Sequence, residues 1–342
     1  MISPDDVATS KAIQQRTGKT FAAATRVLPE RARRATYVLY AFFRVADEVV
    51  DDPRGATPAE QRRELARLRA AALGETDTDD PVLGAFRDLV ETYDVADEEI
   101  ETFLDAMEMD VDTRRYETHD ELETYLRGSA VAVGNMMLTV MADIEGMDDE
   151  TVDRARPHAK ALGEAFQLTN FLRDVREDVR EYGRIYIPRA TLDRYDVPES
   201  EVRACTFSER FAAAMRAELQ RTERLYREGV AGIRYLPESC RFGVLCAAVL
   251  YADHHRLIRR RGYDTLSARP TLSTPRRLAL VARTWYHWKR TGDPEAAFYA
   301  ASVVDTTDGP NSTTRSRPGN ESVRTRARSA AASLSSLLGV RE

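Results

Sequence analysis

The chain has 342 residues, of which 43% are hydrophobic and 31% are charged, and its formal net charge is −6 at pH 7. These values are typical of a globular protein with a sizeable core. The negative net charge argues against a nucleic-acid partner and against attraction of the whole molecule to anionic lipid. An anionic substrate would therefore need a local basic patch or a bound metal ion.

Helical periodicity dominates the sequence, with apolar residues at intervals of three and four and few alternating runs. We therefore predict an all-α bundle with short polar connections. The predicted helices cover residues 31–51, 58–73, 80–93, 98–109, 120–144, 149–182, 207–229, 237–261 and 274–291.

The composition changes after residue 304. Residues 305–342 are rich in Ser, Thr, Arg, Gly and Pro and contain no aromatic residue. Such a segment has too little apolar surface to build a packed core. We therefore predict one helical domain over residues 1–304 and a disordered tail over residues 305–342.

Three features bear on the cellular location. Residues 1–10 are polar and acidic, unlike a secretory signal, and the longest apolar run, residues 242–252, is too short to span a bilayer. The cysteines, Cys205, Cys240 and Cys246, have no metal-type spacing, and their odd count does not indicate a disulfide framework. We expect a cytoplasmic protein with at most peripheral membrane contact.

A first acidic cluster ends the apolar helix predicted over residues 31–51. Asp47 and Asp51 are four residues apart, so they lie on one helical face. Like charges at this spacing repel, and at the end of an apolar helix they favour a cation bound between them. A solvated helix face can carry the same pair, so this cluster alone is a weak indication of a site.

A second cluster places Asn170, Asp174 and Asp178 at i, i+4 and i+8, with Gln167 one turn earlier. The interleaved arginines could neutralise the acids as helix salt bridges, but they do not explain the amide side chains. Two oxygen-bearing stripes that face each other would bind a hard cation such as Mg²⁺, which prefers carboxylates, waters and substrate phosphates.

Together the two clusters resemble the squalene/phytoene synthase family, over about residues 19–291. The motifs that carry the resemblance are Asp47-x-x-x-Asp51, Gln167-Leu-Thr-Asn170-Phe-Leu-Arg173-Asp174-x-x-x-Asp178 and Arg184-Ile-Tyr186-Ile-Pro188. The resemblance implies an all-α, single-domain isoprenoid synthase fold around a central cavity, with the catalytic domain over residues 1–304.

The resemblance also implies roles for individual residues. Mg²⁺, or Mn²⁺ in its place, would be coordinated by Asp47, Asp51, Asn170, Asp174 and Asp178. The four aspartates and Tyr186 are the implied catalytic residues. The implied substrate-binding residues are Lys19, Thr20, Tyr40, Arg44, Gln167, Arg173, Arg184, Tyr251 and Arg269.

Other segments carry weaker expectations. The small-residue segment 125–134 would line the prenyl channel by resemblance, although close helix packing also needs small residues. The pair His254-His255 has no third ligand at metal spacing, and we predict that it lies on a helix surface. Candidate walls of a dry cavity are Val38, Leu39, Phe42, Phe43, Val133, Met136, Met137, Leu138, Phe166 and Phe171.

The implied reaction joins two prenyl diphosphates head to head through a cyclopropyl diphosphate. Our first hypothesis is that two geranylgeranyl diphosphates give the C40 hydrocarbon phytoene without NADPH. The alternative is squalene or dehydrosqualene formation from farnesyl diphosphate, and a third hypothesis is a non-catalytic helical assembly partner. An insoluble product also suggests peripheral membrane contact and downstream carotenoid enzymes as partners.

Overall fold

The structure is a computed structural model that describes residues 4–17, 19–51 and 55–305, and it describes no side chains within residues 1–6 and 15–21. Within these ranges the regular structure is helical, and the one extended pairing is an isolated bridge between Arg115 and Ile185. The all-α prediction is therefore confirmed. The predicted tail beyond Asp305 lies outside the described residues.

The helices follow one another with short connections. They are α1 (Pro4–Thr17), α2 (Lys19–Thr25), α3 (Glu30–Asp51), α4 (Pro58–Ala72), α5 (Pro81–Tyr93), α6 (Asp97–Asp112), α7 (His119–Leu126), α8 (Val133–Glu145), α9 (Asp149–Glu177), α10 (Arg189–Arg194), α11 (Glu199–Arg203), α12 (Glu209–Ala231), α13 (Glu238–Arg260), α14 (Thr274–Thr291) and α15 (Pro294–Ala301). The described residues also contain two π-helical turns, Arg127–Ala132 and Asp178–Tyr182, and a 3₁₀ turn, Gly232–Tyr235.

The two π-helical turns interrupt helices that the sequence predicts as continuous. The predicted helix 120–144 is divided into α7, a π turn and α8, and the predicted helix 149–182 ends in the second π turn. Gly128 lies in the first turn, where an added Cβ would come within 2.2 Å of the Thr102 carbonyl oxygen on α6. The first π turn and α6 can therefore approach closely only because this residue is glycine.

Helix α9 lies at the centre of the bundle, where it packs along α12 and crosses α8 and α13. Behind it, Thr169 Oγ1 lies 2.9 Å from the Tyr226 hydroxyl and 3.0 Å from His255 Nε2, and His255 Nδ1 donates to Glu223 over 3.1 Å. This buried polar network fixes α9 against α12 and α13. It also corrects one prediction, since His254 and His255 are buried rather than on a helix surface.

Helix α3 carries the first acidic cluster and is anchored by aromatic packing. Phe42 is fully buried and stacks on Phe86 of α5, with ring centroids 3.7 Å apart.

No helix in the described part of the chain is long and apolar enough to cross a membrane. All three cysteines are free.

Candidate active site

A cavity of about 1220 Å³ lies between α3 and α9, with further walls from α8, α13 and the segment that precedes α14. Along α9 it extends from Ala155 to Asp178, roughly 35 Å at the rise of an α-helix. The lining is apolar along the N-terminal half of α9 and strongly charged near its C-terminal end. The cavity therefore offers one charged end and a long apolar body.

The cavity brings together the predicted site residues whose side chains the structure describes. They are Tyr40, Arg44, Asp47, Asp51, Gln167, Asn170, Arg173, Asp174, Asp178, Arg184, Tyr186, Tyr251 and Arg269. Lys19 and Thr20 begin α2, but their side chains lie outside the described set. The two acidic clusters thus face the same cavity, and the roles of the single residues stay predictions.

Arg184 connects the first acidic cluster to the segment that follows α9. Gly183 has a φ of +67°, a left-handed conformation that favours glycine, and it ends the π turn after α9 so that the chain reverses. Arg184 then donates from Nη1 to Asp51 Oδ1 over 2.7 Å. Its Nη2 donates to the carbonyl oxygens of Val50 at 3.2 Å and Asp110 at 3.0 Å.

Asp110 of α6 is a cavity residue that our sequence analysis missed. It is 4% exposed, and its carboxylate accepts hydrogen bonds from the hydroxyls of Tyr125 at 2.7 Å and Tyr186 at 3.3 Å. Burial raises the pKa of Asp110 to about 6, although Arg184 and the tyrosines oppose this shift. The available signal was its place three residues after Met107 on the apolar face of α6.

Two carboxyl groups at the charged end bind protons unusually tightly. The pKa of Asp47 is raised to about 8, first by burial within the cavity walls and then by the charge of Asp51. The side chain is nevertheless 39% accessible, because it faces the cavity space rather than bulk solvent. Burial, with Asp174 and Asp51 nearby, also raises the pKa of Asp178 well above its usual value. Carboxyl groups therefore crowd together here, and their mutual repulsion favours the protonated form.

These carboxylates suit divalent cations, whose charge would offset their mutual repulsion. Among the described residues, however, no three His, Cys, Asp or Glu side chains form a compact metal-binding group. Such an arrangement fits Mg²⁺ better than a metal held by protein ligands alone, because Mg²⁺ keeps waters and binds substrate phosphates beside one or two carboxylates.

Arginines surround the acidic stripe on α9. Asp174 accepts hydrogen bonds from Arg173 Nε at 2.6 Å and lies 2.7 Å from Arg269 Nε, while Arg269 Nη1 lies 2.7 Å from Glu177. On α3, Arg44 Nε lies 3.4 Å from Glu48. The cations are therefore held next to the acids, where they can also contact an anionic substrate.

The charged rim includes one further arginine. Arg277 of α14 lines the cavity. Its neighbour Arg276 instead pairs with the buried carboxylate of Asp253, with Nη2 to Oδ1 at 2.7 Å, and Arg256 binds the same carboxylate. Arg277 is therefore the residue of this pair that lines the cavity.

Most predicted wall residues do line the cavity, but Val38, Phe42 and Met136 do not. These three are buried in the core, because their helix faces pack against neighbouring helices. In the small-residue segment, an added Cβ at Gly134 would lie 3.1 Å from the Ala159 carbonyl oxygen, and Gly134 also lines the cavity. Small residues there serve both close packing and the channel.

Comparison with known proteins is consistent with this geometry. The model of the squalene/phytoene synthase family matches residues 14–276. A 15-cis-phytoene synthase from Synechocystis sp. is 31% identical over 274 residues, covering 78% of this chain and 80% of the relative. A phytoene synthase from Cereibacter sphaeroides is 37% identical over 279 residues, covering 78% of this chain and 75% of the relative.

Two solved structures are similar in fold. A dehydrosqualene synthase in complex with a ligand superposes with a TM-score of 0.74 at 27% identity, covering 84% of this chain and 97% of the other. A squalene synthase from Alicyclobacillus acidocaldarius has a TM-score of 0.65 at 25% identity and covers 76% and 95%, respectively.

Proposed function

The chain belongs to the squalene/phytoene synthase family, and we propose that it is a phytoene synthase that joins two geranylgeranyl diphosphates head to head. It is a prenyltransferase. The observation that carries the proposal is the cavity whose charged end combines both acidic clusters with arginines and whose body is apolar. This arrangement matches a substrate with a diphosphate head and a long hydrocarbon chain.

The size of the cavity supports two long substrates. At about 1220 Å³ it exceeds the volume of roughly 300–1,000 Å³ that is usual for small-molecule sites. Gly163 lines this space, and an added Cβ there would lie 2.8 Å from the Ala130 carbonyl oxygen, so glycine allows α9 to pack closely on the first π turn. Two prenyl chains can then lie side by side in one apolar space.

We assign the metal to the charged end. The family uses a divalent cation, and Mg²⁺, or Mn²⁺ in its place, is our proposal for this chain. Bound Mg²⁺ would neutralise the diphosphate and so assist its departure as a leaving group. The side chains that would hold it are Asp47, Asp51, Asn170, Asp174 and Asp178.

The arginines act on the same leaving group. Arg44, Arg173 and Arg269 line the cavity beside the acids, so their cations can contact diphosphate oxygens. Negative charge grows on those oxygens as the carbon–oxygen bond breaks. Fixed cations stabilise this charge without having to reorganise, and they lower the barrier to ionisation.

The apolar body protects the allylic cation that remains. Phe43, Phe166 and Tyr251 line it, and Phe166 stacks on Tyr251 with ring centroids 4.7 Å apart. Aromatic faces attract cations, and an apolar wall keeps water from intercepting them. The cation can then alkylate the double bond of the second prenyl diphosphate, and loss of a proton closes the cyclopropyl diphosphate. Departure of the second diphosphate gives a new cation, which rearranges, and loss of a second proton ends the reaction.

The assay that tests the proposal compares two substrates. The purified chain is incubated with geranylgeranyl or farnesyl diphosphate and Mg²⁺, with and without NADPH, and the hydrocarbon is identified by mass. We expect phytoene from geranylgeranyl diphosphate without NADPH. Preferred turnover of farnesyl diphosphate would instead support the dehydrosqualene or squalene alternative. The two similar solved structures are of a dehydrosqualene synthase and a squalene synthase.

Two finer points complete the proposal. Residues 305–342 are dispensable for the chemistry, so a chain that ends at Val304 should turn over like the full chain. The enzyme is cytoplasmic, and its insoluble product leaves through peripheral contact with a membrane and passes to downstream carotenoid enzymes.

A further inference from the structure

The outward face of α14 is unusually apolar. Leu278 and Tyr286, which are 50% and 53% exposed, are the exposed large hydrophobic side chains of the described residues. They are eight positions apart, so they lie on the same side of the helix. Ala279 is exposed and Ala282 and Trp285 are partly exposed between them. This face therefore presents a continuous apolar and aromatic strip to solvent.

The charge of α14 differs from that of the whole chain. The helix carries five basic residues and no acidic residue, whereas the chain has a net charge of −6. Lys289 and Arg290 are exposed and lie at the end of the apolar strip. An apolar face that carries Trp, Tyr and basic residues is the pattern of a helix that lies in a membrane interface.

The strip begins at the charged rim of the cavity. Ser273, Thr274 and Arg277 line the cavity, and Arg277 directly precedes Leu278 in the sequence. From Arg277 to Arg290 the helix extends about 20 Å. A surface that bound this face would therefore lie next to the segment of the chain that lines the charged part of the cavity.

We propose that the outward face of α14 docks on an anionic lipid bilayer, so that prenyl diphosphates enter the cavity from the membrane interface and the hydrocarbon returns to it. The lipid, rather than another protein, is favoured by the absence of acidic residues on α14 together with its exposed aromatic strip. The inference rests on the proposed function for the nature of the substrate and product.

The test measures binding of the full chain to vesicles without substrate. Vesicles of phosphatidylcholine with phosphatidylglycerol should sediment the protein, vesicles of phosphatidylcholine alone should bind it more weakly, and added salt should weaken binding. The double variant Leu278→Asp/Tyr286→Asp should lose about tenfold or more of the binding. Neither residue lines the cavity, so turnover of detergent-dispersed substrate should stay unchanged.

The matched control is Ala59→Asp/Ala66→Asp, which adds the same charge at exposed positions of α4 and should bind vesicles like the wild type. Equal binding by the α14 variant and the wild type, or no binding by the wild type, would overturn the proposal. If the wild type forms a dimer and the α14 variant does not, the face instead binds a second copy of the chain. If a chain that ends at Asp305 binds vesicles more strongly than the full chain, residues 306–342 instead occupy the outward face of α14. Since no substrate is present, an incorrect product assignment leaves this result unaffected.

Discussion

Arg184 donates a hydrogen bond from Nη1 to Asp51 Oδ1 over 2.7 Å, and this contact joins the end of α3 to the segment that follows α9. The same guanidinium also binds two buried carbonyl oxygens and lies 3.6 Å from Asp110. Arg184 therefore supplies positive charge to both Asp51 and the buried Asp110.

We expect Arg184→Met to lower the free energy of unfolding by about 3–5 kcal/mol, since it leaves the buried carboxylate of Asp110 without its cation. Urea denaturation in EDTA measures the loss. Arg189→Met is the control, because Arg189 is 51% exposed and its ion pairs should contribute about 1 kcal/mol or less. A loss for Arg184→Met as small as that of the control would contradict the assigned role.

Asp178→Asn should separate stability from activity. The native pKa of Asp178 is raised, so the native state binds this proton more tightly than the unfolded state, and stability falls as pH rises above the unfolded pKa. In EDTA the variant should therefore melt higher than the wild type, and by more at pH 8 than at pH 5. With Mg²⁺ its turnover should fall by about 10²–10³.

The control for that variant is Glu181→Gln, which makes the same chemical change at an exposed residue of the same π turn. It should leave both melting temperature and turnover near wild-type values. If Asp178→Asn instead melted lower than the wild type in EDTA at pH 8, the carboxylate would be a stabilising group in the metal-free protein.

Metal binding should depend on pH through Asp47. Its pKa of about 8 means that a proton must leave before Mg²⁺ binds near neutral pH. We expect the apparent affinity for Mg²⁺ to rise between about pH 6.5 and 8.5, because this range brackets a pKa of about 8. Binding should also release protons. Calorimetric titrations in buffers of different ionisation enthalpy measure both. An affinity that does not change over this range would show that Asp47 takes no part.

Tyr125→Phe should destabilise the fold by about 1–3 kcal/mol, because buried Asp110 loses the hydrogen bond of 2.7 Å. The pKa of Asp110 should then rise further, since that hydrogen bond favours the charged form. Tyr116→Phe is a closely matched control. The Tyr116 hydroxyl is buried and has no hydrogen-bond partner among the described residues, so its removal should be neutral or stabilising. Equal losses in the two variants would refute the assigned contact.

The parts of the site that the sequence predicts depend on local spacing. Asn170 and Asp174 lie four residues apart on one regular helix, so their common face follows from helix geometry. Asp110 could not be assigned in this way, because its partners Tyr125 and Tyr186 come from other segments. Its position on an apolar face was the only local signal.

The parts of the fold that the sequence misses are short or irregular. Helices α10 and α11 contain six and five residues, too few to show a period. The π turn at Arg127–Ala132 contains Gly128, where α6 approaches closely, and periodicity cannot reveal such a tertiary contact. His254 and His255 were misassigned because adjacent polar residues resemble a surface, whereas one lines the cavity and the other joins a buried network.

The most direct test of the account locates the metal. Crystals grown with Mn²⁺ and an unreactive thiodiphosphate analogue of geranylgeranyl diphosphate would show manganese by its anomalous scattering. We predict manganese at the charged end of the cavity, between the Asp47 and Asp51 side of α3 and the Asn170–Asp178 stripe, with the diphosphate beside Arg173 and Arg269. Manganese bound elsewhere, or a diphosphate held away from both acidic clusters, would contradict the account.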